Sequence, residues 1–288
     1  MTRPTPLPNR IHSIDVLRGF AILGIGVVNI LGFNASFFDF GGYYNNLDDP
    51  EQLTFYHTFI SLTADKFIFI FSFLFGYGVY FQYRKYNSDE SAFTKFFSRR
   101  MMYLALFGIL HILFLWAGDI LLLYAVAGMF LFLFRRSSTA VLLSVGTFFY
   151  LFISIWLFFA VWMPLPNALS STCNECLEDA LQIYQAGNYW QCFKLRMTEY
   201  ISFRNINLFY YLTKEIGVFF FGFFASRLKL NEVIANNLKQ SSVAFIGLAI
   251  LATLTWYYYE QAIFWAMPED SRFLNSIYML GYDLMNLL

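Results

Sequence analysis

Two spacings of eleven residues carry most of the chemistry this sequence suggests. Arg18 and Asn29 form one pair, Arg100 and His111 the other. On a helix, eleven steps of about 100° make three turns plus roughly 20°, so the members of each pair share a face. The rise between them is about 16.5 Å, which sets each arginine near one end of an apolar segment and its partner residue near the middle. His111 is a candidate proton acceptor, because imidazole exchanges its proton near neutral pH. Asp119, in the turn that follows, is a candidate to orient it. Asn29, Lys66, Arg18 and Arg100 are the other polar and charged candidates on or beside these segments. His57 is the rival proton acceptor. The plainer alternative is that the arginines only mark a membrane boundary and that the embedded ionisable groups pair between helices.

The segments that must position these residues are strongly apolar. Hydrophobic residues make up 58% of the 288 and charged residues 13%, against about 45–50% and about 25% in an average soluble domain. The apolar residues fall in seven long blocks and part of an eighth: 19–37, 57–82, 101–117, 118–134, 138–163, 206–226, 242–266 and 273–288. A helix needs about 20 such residues to cross a bilayer. The expected fold class is therefore all-α, a polytopic transmembrane bundle of about seven to eight spans. The alternating ten-residue segments of an outer-membrane barrel are absent. An ionised side chain inside a span costs about 2.5–3.5 kcal/mol on insertion scales, so Asp65, Lys66, Asp119, Lys214 and Glu215 each need a reason.

The apolar blocks imply the lipid bilayer as a partner, and the zero net charge implies no nucleic-acid partner. The distribution of charge sets the orientation. If residues 1–18, 83–100, 135–136 and 227–239 lie inside, they carry Arg3, Arg10, Arg18, Arg84, Lys85, Lys95, Arg99, Arg100, Arg135, Arg136, Arg227, Lys229 and Lys239. That is 13 of the 19 basic residues, so the positive-inside rule expects a cytoplasmic N-terminus in a bacterial plasma (inner) membrane. Residues 1–37 exceed the apolar run of a signal peptide and read as the first span.

Arg100 and Arg135 flank 34 residues, about 51 Å as one helix, too long for one crossing. Two short passes turning at Ala117-Gly118-Asp119 return the chain to the side it left. Three regions follow: an N-terminal five-span core over 1–163, an extracytoplasmic loop over 164–205, and C-terminal spans over 206–288. Within the loop, Cys176 to Tyr200 reads as an amphipathic helix, with Leu177, Ala180, Leu181 and Tyr184 at helical spacing. Cys173, Cys176 and Cys192 all fall in this loop, where an oxidising compartment permits a disulfide but free thiols are equally compatible. No histidine lies near them, so no metal site is expected.

The motifs resemble a family. The string from Arg10 through Asp15 and Arg18-Gly-Phe to Val28-Asn29-Ile30 is similar to the opening of YeiB-like proteins. Lys66-Phe-Ile-Phe-Ile-Phe-Ser-Phe-Leu-Phe-Gly76-Tyr-Gly78 is similar to their second-span signature, and Gly108-Ile-Leu-His111 with Leu115-Trp116-Ala-Gly118-Asp119 to their third. That family is in turn similar to transmembrane acyltransferases, including the heparan glucosaminide and acyltransferase-3 enzymes. The resemblance implies transfer of an acyl group from cytoplasmic acyl-CoA, the donor substrate, to an extracytoplasmic acceptor such as a glycan, through O- or N-acylation. It places Asn29 where acyltransferase-3 enzymes carry a histidine, and His57 near the position of the heparan enzyme's catalytic histidine. For such a transfer it implies Asn29 and Lys66 as donors to the developing oxyanion and Arg18 and Arg100 as ligands for the phosphates of CoA. It also implies further spans beyond Leu288, so that 206–288 reads as a shortened C-terminal region.

Two other functions fit the residues. Lys66, Asp119 and Glu215 would serve a proton-coupled or small-solute transporter, although the inverted repeat typical of such proteins is not evident. An inactive membrane scaffold is the third.

Overall fold

The computed structural model describes residues 12–33, 36, 49–63, 65–86, 89–160, 174–243 and 247. Among them every regular element is an α-helix. In chain order these are α1 (His12–Phe33), α2 (Pro50–Thr63), α3 (Lys66–Lys85), α4 (Glu90–Phe114), α5 (Leu121–Leu133), α6 (Thr139–Ala160), α7 (Asn174–Ala186), α8 (Tyr189–Arg227) and α9 (Leu230–Asn236). The all-α class is as expected.

Three stretches, His12–Ile30, Glu90–Phe114 and Thr139–Trp156, are long and apolar enough to cross a membrane, and Leu121–Leu133 is apolar but shorter. They carry a lipid-compatible surface. Along α1, for example, Val16, Leu17, Leu23, Val27 and Ile30 are exposed, a stripe that water would not tolerate. By length and composition, these three helices can cross a membrane. The expected block 57–82 is divided between α2 and α3, with Asp65 between them in the left-handed region (φ 63°), a conformation that aspartate tolerates better than most residues. Lys66 consequently opens a helix and does not lie inside one. The expected spans 242–266 and 273–288 lie outside the described residues, apart from positions 242, 243 and 247.

Helix α8 is the hub of the bundle. It runs unbroken for 39 residues, about 58 Å, and its second half buries Ile216, Val218, Phe219, Phe220 and Phe223. Glycines let neighbouring backbones approach it. A Cβ on Gly76 of α3 would overlap the Phe219 carbonyl, and one on Gly222 would overlap the Phe73 carbonyl. Lipid supplies no hydrophobic drive between helices, so close packing of this kind is what holds them. Aromatic rings fill the remainder: Phe75 stacks on Phe219 with centroids 4.6 Å apart, and Tyr124 meets Phe219 edge-on at 5.0 Å.

The helix expected over Cys176 to Tyr200 is two helices. Gly187 sits at φ 68°, and Asn188 accepts from the Trp190 and Gln191 backbone N–H groups at 3.1 Å. A left-handed glycine ends α7 and an asparagine cap starts α8. Ala186-Gly187-Asn188 was the available signal. From there α8 passes through residues 205 and 206 without interruption, so the loop helix and the following span are one element.

Candidate functional site

Helix α4 begins earlier than its apolar run. Asp89 caps it by accepting from the Ala92 N–H at 2.9 Å, which places Arg100 well inside the helix and not at its end. Arg18 is likewise inside α1. Ile14, Arg18, Ala21, Ile25, Asn29 and Gly32 lie on the covered face of that helix. Arg18 and Asn29 therefore share an inward stripe, as their spacing requires.

The Arg18 guanidinium reaches α3. Its Nη2 donates to the Leu74 carbonyl at 3.1 Å, and a Cβ on Gly78 would overlap the same nitrogen. Glycine at 78 thus makes the niche that Arg18 fills. Asp15 lies 3.6 Å from Nη1. Arg100 stands over the Phe75 ring at 5.4 Å and within electrostatic reach of Arg18. Two cations from α1 and α4 are held beside each other against the middle of α3. The two guanidinium groups repel each other electrostatically, a repulsion that a shared anion would offset.

At the C-terminal end of α4 the hairpin turn brings His111 and Asp119 together. His111 Nδ1 is 3.2 Å from Asp119 Oδ2, with the aspartate side chain 1% exposed and the histidine 30%. The atoms are in contact but not aligned as a hydrogen bond. The other carboxylate oxygen, Oδ1, accepts from the Leu122 N–H at 2.9 Å and so caps α5. Asp119 serves structure with one oxygen and faces His111 with the other. Gly108 lies against Asp119 Oδ1 and the Leu122 backbone, which lets the two arms of the hairpin close.

Two charged residues that sequence reasoning did not single out converge near this turn. Arg196 of α8 donates to the Leu115 carbonyl at 2.7 Å. Glu199, one turn further, is buried, accepts from Ser36, and accepts from the Tyr184 hydroxyl at 2.7 Å. Burial, then the Glu199 hydrogen bond and charge, hold the Tyr184 phenol above its usual range. Phe33 and Trp116 meet edge-on at 4.8 Å. The ends of α1, the α4–α5 turn and the start of α8 are thereby gathered at one end of the bundle. A pattern search finds neither Arg196 nor Glu199, because a charge in a polar segment carries no signal until folding buries it.

Between the arginine pair and the histidine lies a buried polar network. Glu215, 4% exposed, accepts from the Ser72 hydroxyl. Ser72 Oγ is also 2.5 Å from the Tyr124 hydroxyl and 2.7 Å from the Ile68 carbonyl. Helices α3, α5 and α8 are joined by this cluster. Beside it, Asp65, Lys214 and Glu215 line a small cavity of about 30 Å³, the space of a single water. The Lys214 ammonium also lies over the rings of Tyr210 and Tyr150, at 4.6 and 5.1 Å.

The structure thus brings together Arg18 with Arg100, and His111 with Asp119. The contacts that the His111–Asp119 pair makes among the described residues do not include Asn29 or Lys66. His57 belongs to α2, but its side chain lies outside the described residues, as do Cys173 and the Cys176 side chain. Cys192 is a half-buried free thiol. Among the described residues no cluster of three or more metal-ligating side chains occurs.

No family model matches the chain, and no solved structure matches it. Two curated relatives do. The uncharacterized protein YxaH of Bacillus subtilis (strain 168) is 36% identical over 217 residues, which cover 71% of this chain and 52% of YxaH. An uncharacterized 39.9 kDa protein in the amylase 3′ region of Bacillus acidopullulyticus is 36% identical over 166 residues, 58% of this chain and 45% of that protein. The chain spans about half the length of the curated relatives it matches.

Proposed function

We propose that the chain is a multi-pass protein of a bacterial plasma membrane, with seven or eight spans and a cytoplasmic N-terminus, and that it transfers an acyl group from cytoplasmic acyl-CoA to an extracytoplasmic acceptor. The observation that carries this reading is the His111–Asp119 contact on the same helix as Arg100, with Arg18 beside that arginine. The resemblance to YeiB-like proteins and acyltransferases supports it.

The proposed chemistry follows the axis of α4. Arg18 and Arg100 hold the phosphates of CoA, for which guanidinium forks are suited. About 16.5 Å separates Arg100 from His111 along the helix, a gap that the extended pantetheine arm of CoA bridges. Nδ1 of His111 faces Asp119, which leaves Nε2 as the proton acceptor, with Asp119 fixing the tautomer. An acceptor hydroxyl or amine gives its proton to Nε2 and attacks the thioester carbonyl. The tetrahedral oxyanion forms, the C–S bond breaks, and the thiolate of CoA leaves with the proton from His111. Oxyanion stabilisation by Asn29 or Lys66 needs a rearrangement that brings them to the histidine; Arg196, bonded to the Leu115 carbonyl, is a described cation already at the turn.

The test is direct. Purified protein in sealed vesicles should move radiolabelled acyl groups from acyl-CoA on the arginine side to a glycan acceptor on the other. Retention of all label as acyl-CoA, with a panel of glycan acceptors, would remove the reading. One observation favours a transporter instead: the cavity shared by Asp65, Lys214 and Glu215 is the sort of embedded ionisable cluster that proton pathways use. Proton uptake coupled to solute entry, lost in Glu215→Gln, would establish that alternative.

A further inference from the structure

Three separate connections of the chain send arginines into one cavity. Arg84 comes from the end of α3, Arg135 and Arg136 from the turn between α5 and α6, and Arg227 from the end of α8. With Tyr80 and Tyr83 they line a space of about 520 Å³, open on one side. This site is distinct from the Arg18–Arg100 pair, which faces the middle of α3.

The commitments of the four guanidinium groups leave positive charge in excess. Arg136 pairs with Glu90, its Nε donating to Oε1 at 2.5 Å. Arg135 lies 3.9 Å from the same carboxylate, donates to the Phe132 carbonyl at 2.9 Å and stacks 3.9 Å over the Phe132 ring. Its Nε is buried with no acceptor among the described residues. Arg227 donates to the Ser137 carbonyl. No carboxylate pairs with Arg84 or Arg227 among the described residues. Two of the four cations therefore share one carboxylate, and the other two have none among the described residues. A topological signal needs basic residues on one side of the membrane, and nothing more. It does not need them drawn into a single walled space, with one stacked on a ring and another tied to a backbone carbonyl. Guanidinium forks gathered around a cavity match the oxygens of phosphate.

We propose that this cavity binds a phosphate-bearing anion carrying two or more negative charges. Two sources share that chemistry: the headgroup of an anionic phospholipid at the cytoplasmic surface, where basic pockets between helices capture such headgroups, and a soluble diphosphate. The proposal rests on the cavity and not on acyl transfer, so either can fail alone.

The experiment uses the full chain purified in detergent. Inorganic pyrophosphate binding is measured by calorimetry, and melting temperature is followed in micelles doped with cardiolipin or, as control, phosphatidylcholine. Arg84→Gln removes one cation of the cavity, and Arg136→Lys keeps charge while losing the fork. The expected result is saturable binding of at least one probe, weakened by about tenfold or more in either variant, as loss of a charge-assisted contact implies. Glu90→Gln, which removes the competing carboxylate, should tighten it. A response to cardiolipin alone assigns a lipid headgroup; a response to pyrophosphate alone assigns a soluble anion; a response to both assigns the phosphate groups they share. If neither probe separates the unmodified protein from Arg84→Gln and Arg136→Lys, the proposal is overturned.

Discussion

His111 Nδ1 and Asp119 Oδ2 stand 3.2 Å apart across the α4–α5 turn, while the second oxygen of the same carboxylate caps α5. The two jobs can be separated. Asparagine caps a helix about as well as aspartate, so Asp119→Asn should express and fold near normally. It lacks the charge that stabilises the histidine once protonated, so acyl transfer should fall by roughly 10²-fold, the low end for acid–base assistance. Unchanged transfer in Asp119→Asn would leave the residue with a capping role only.

Gly78 makes room for the Arg18 guanidinium. Gly78→Val fills that niche with a branched side chain and displaces the arginine from the Leu74 carbonyl. Hydrogen bonds to charged groups are worth about 1.5–3 kcal/mol, so acyl-CoA affinity should fall roughly tenfold to a hundredfold, and Arg18→Gln should do the same. Equilibrium binding in detergent reads both. Normal affinity in the valine variant would mean that Arg18 does not hold the donor.

Ser72 ties Glu215 to Tyr124 and the α3 backbone. Hydrogen bonds between membrane helices average about 0.6 kcal/mol and reach about 1.7. Ser72→Ala should lower folding stability by an amount in that range, seen as a lower melting temperature, while leaving acyl transfer intact. A loss of transfer with no loss of stability would move this network into the working site.

How much of this was legible beforehand differs by residue. The shared face of Arg18 and Asn29 followed from the eleven-residue spacing, because helical periodicity is a local property. The return of the chain at Asp119 followed from length against bilayer thickness, and the structure closes that turn on His111. The split at Asp65 was hidden, because a left-handed aspartate leaves no trace in apolar composition. The continuity of α8 was hidden as well, since polar residues after Asn188 look like a loop until Arg196 and Glu199 find partners on other elements.

The four arginines of the α3, α5–α6 and α8 ends converge, while Cys192 lies on α8 with Arg196 and Glu199, at the end where α1 and the α4–α5 turn meet. The proposed orientation puts the arginines inside. A membrane-impermeant thiol reagent should therefore label Cys192 on intact, reduced cells, and should label a cysteine placed at Arg136 only after lysis. The opposite pattern would invert the topology.

The most direct measurement compares His111→Ala with the unmodified protein for two quantities, acyl-CoA binding and acyl transfer. General-base catalysis contributes typically 10²–10⁴-fold, whereas the proposed donor site, Arg18 and Arg100, lies about three turns away along α4. The account predicts that the variant binds acyl-CoA with near-normal affinity and loses transfer by at least about 10²-fold. Full transfer by His111→Ala would contradict it, and His57 would then be the histidine to replace.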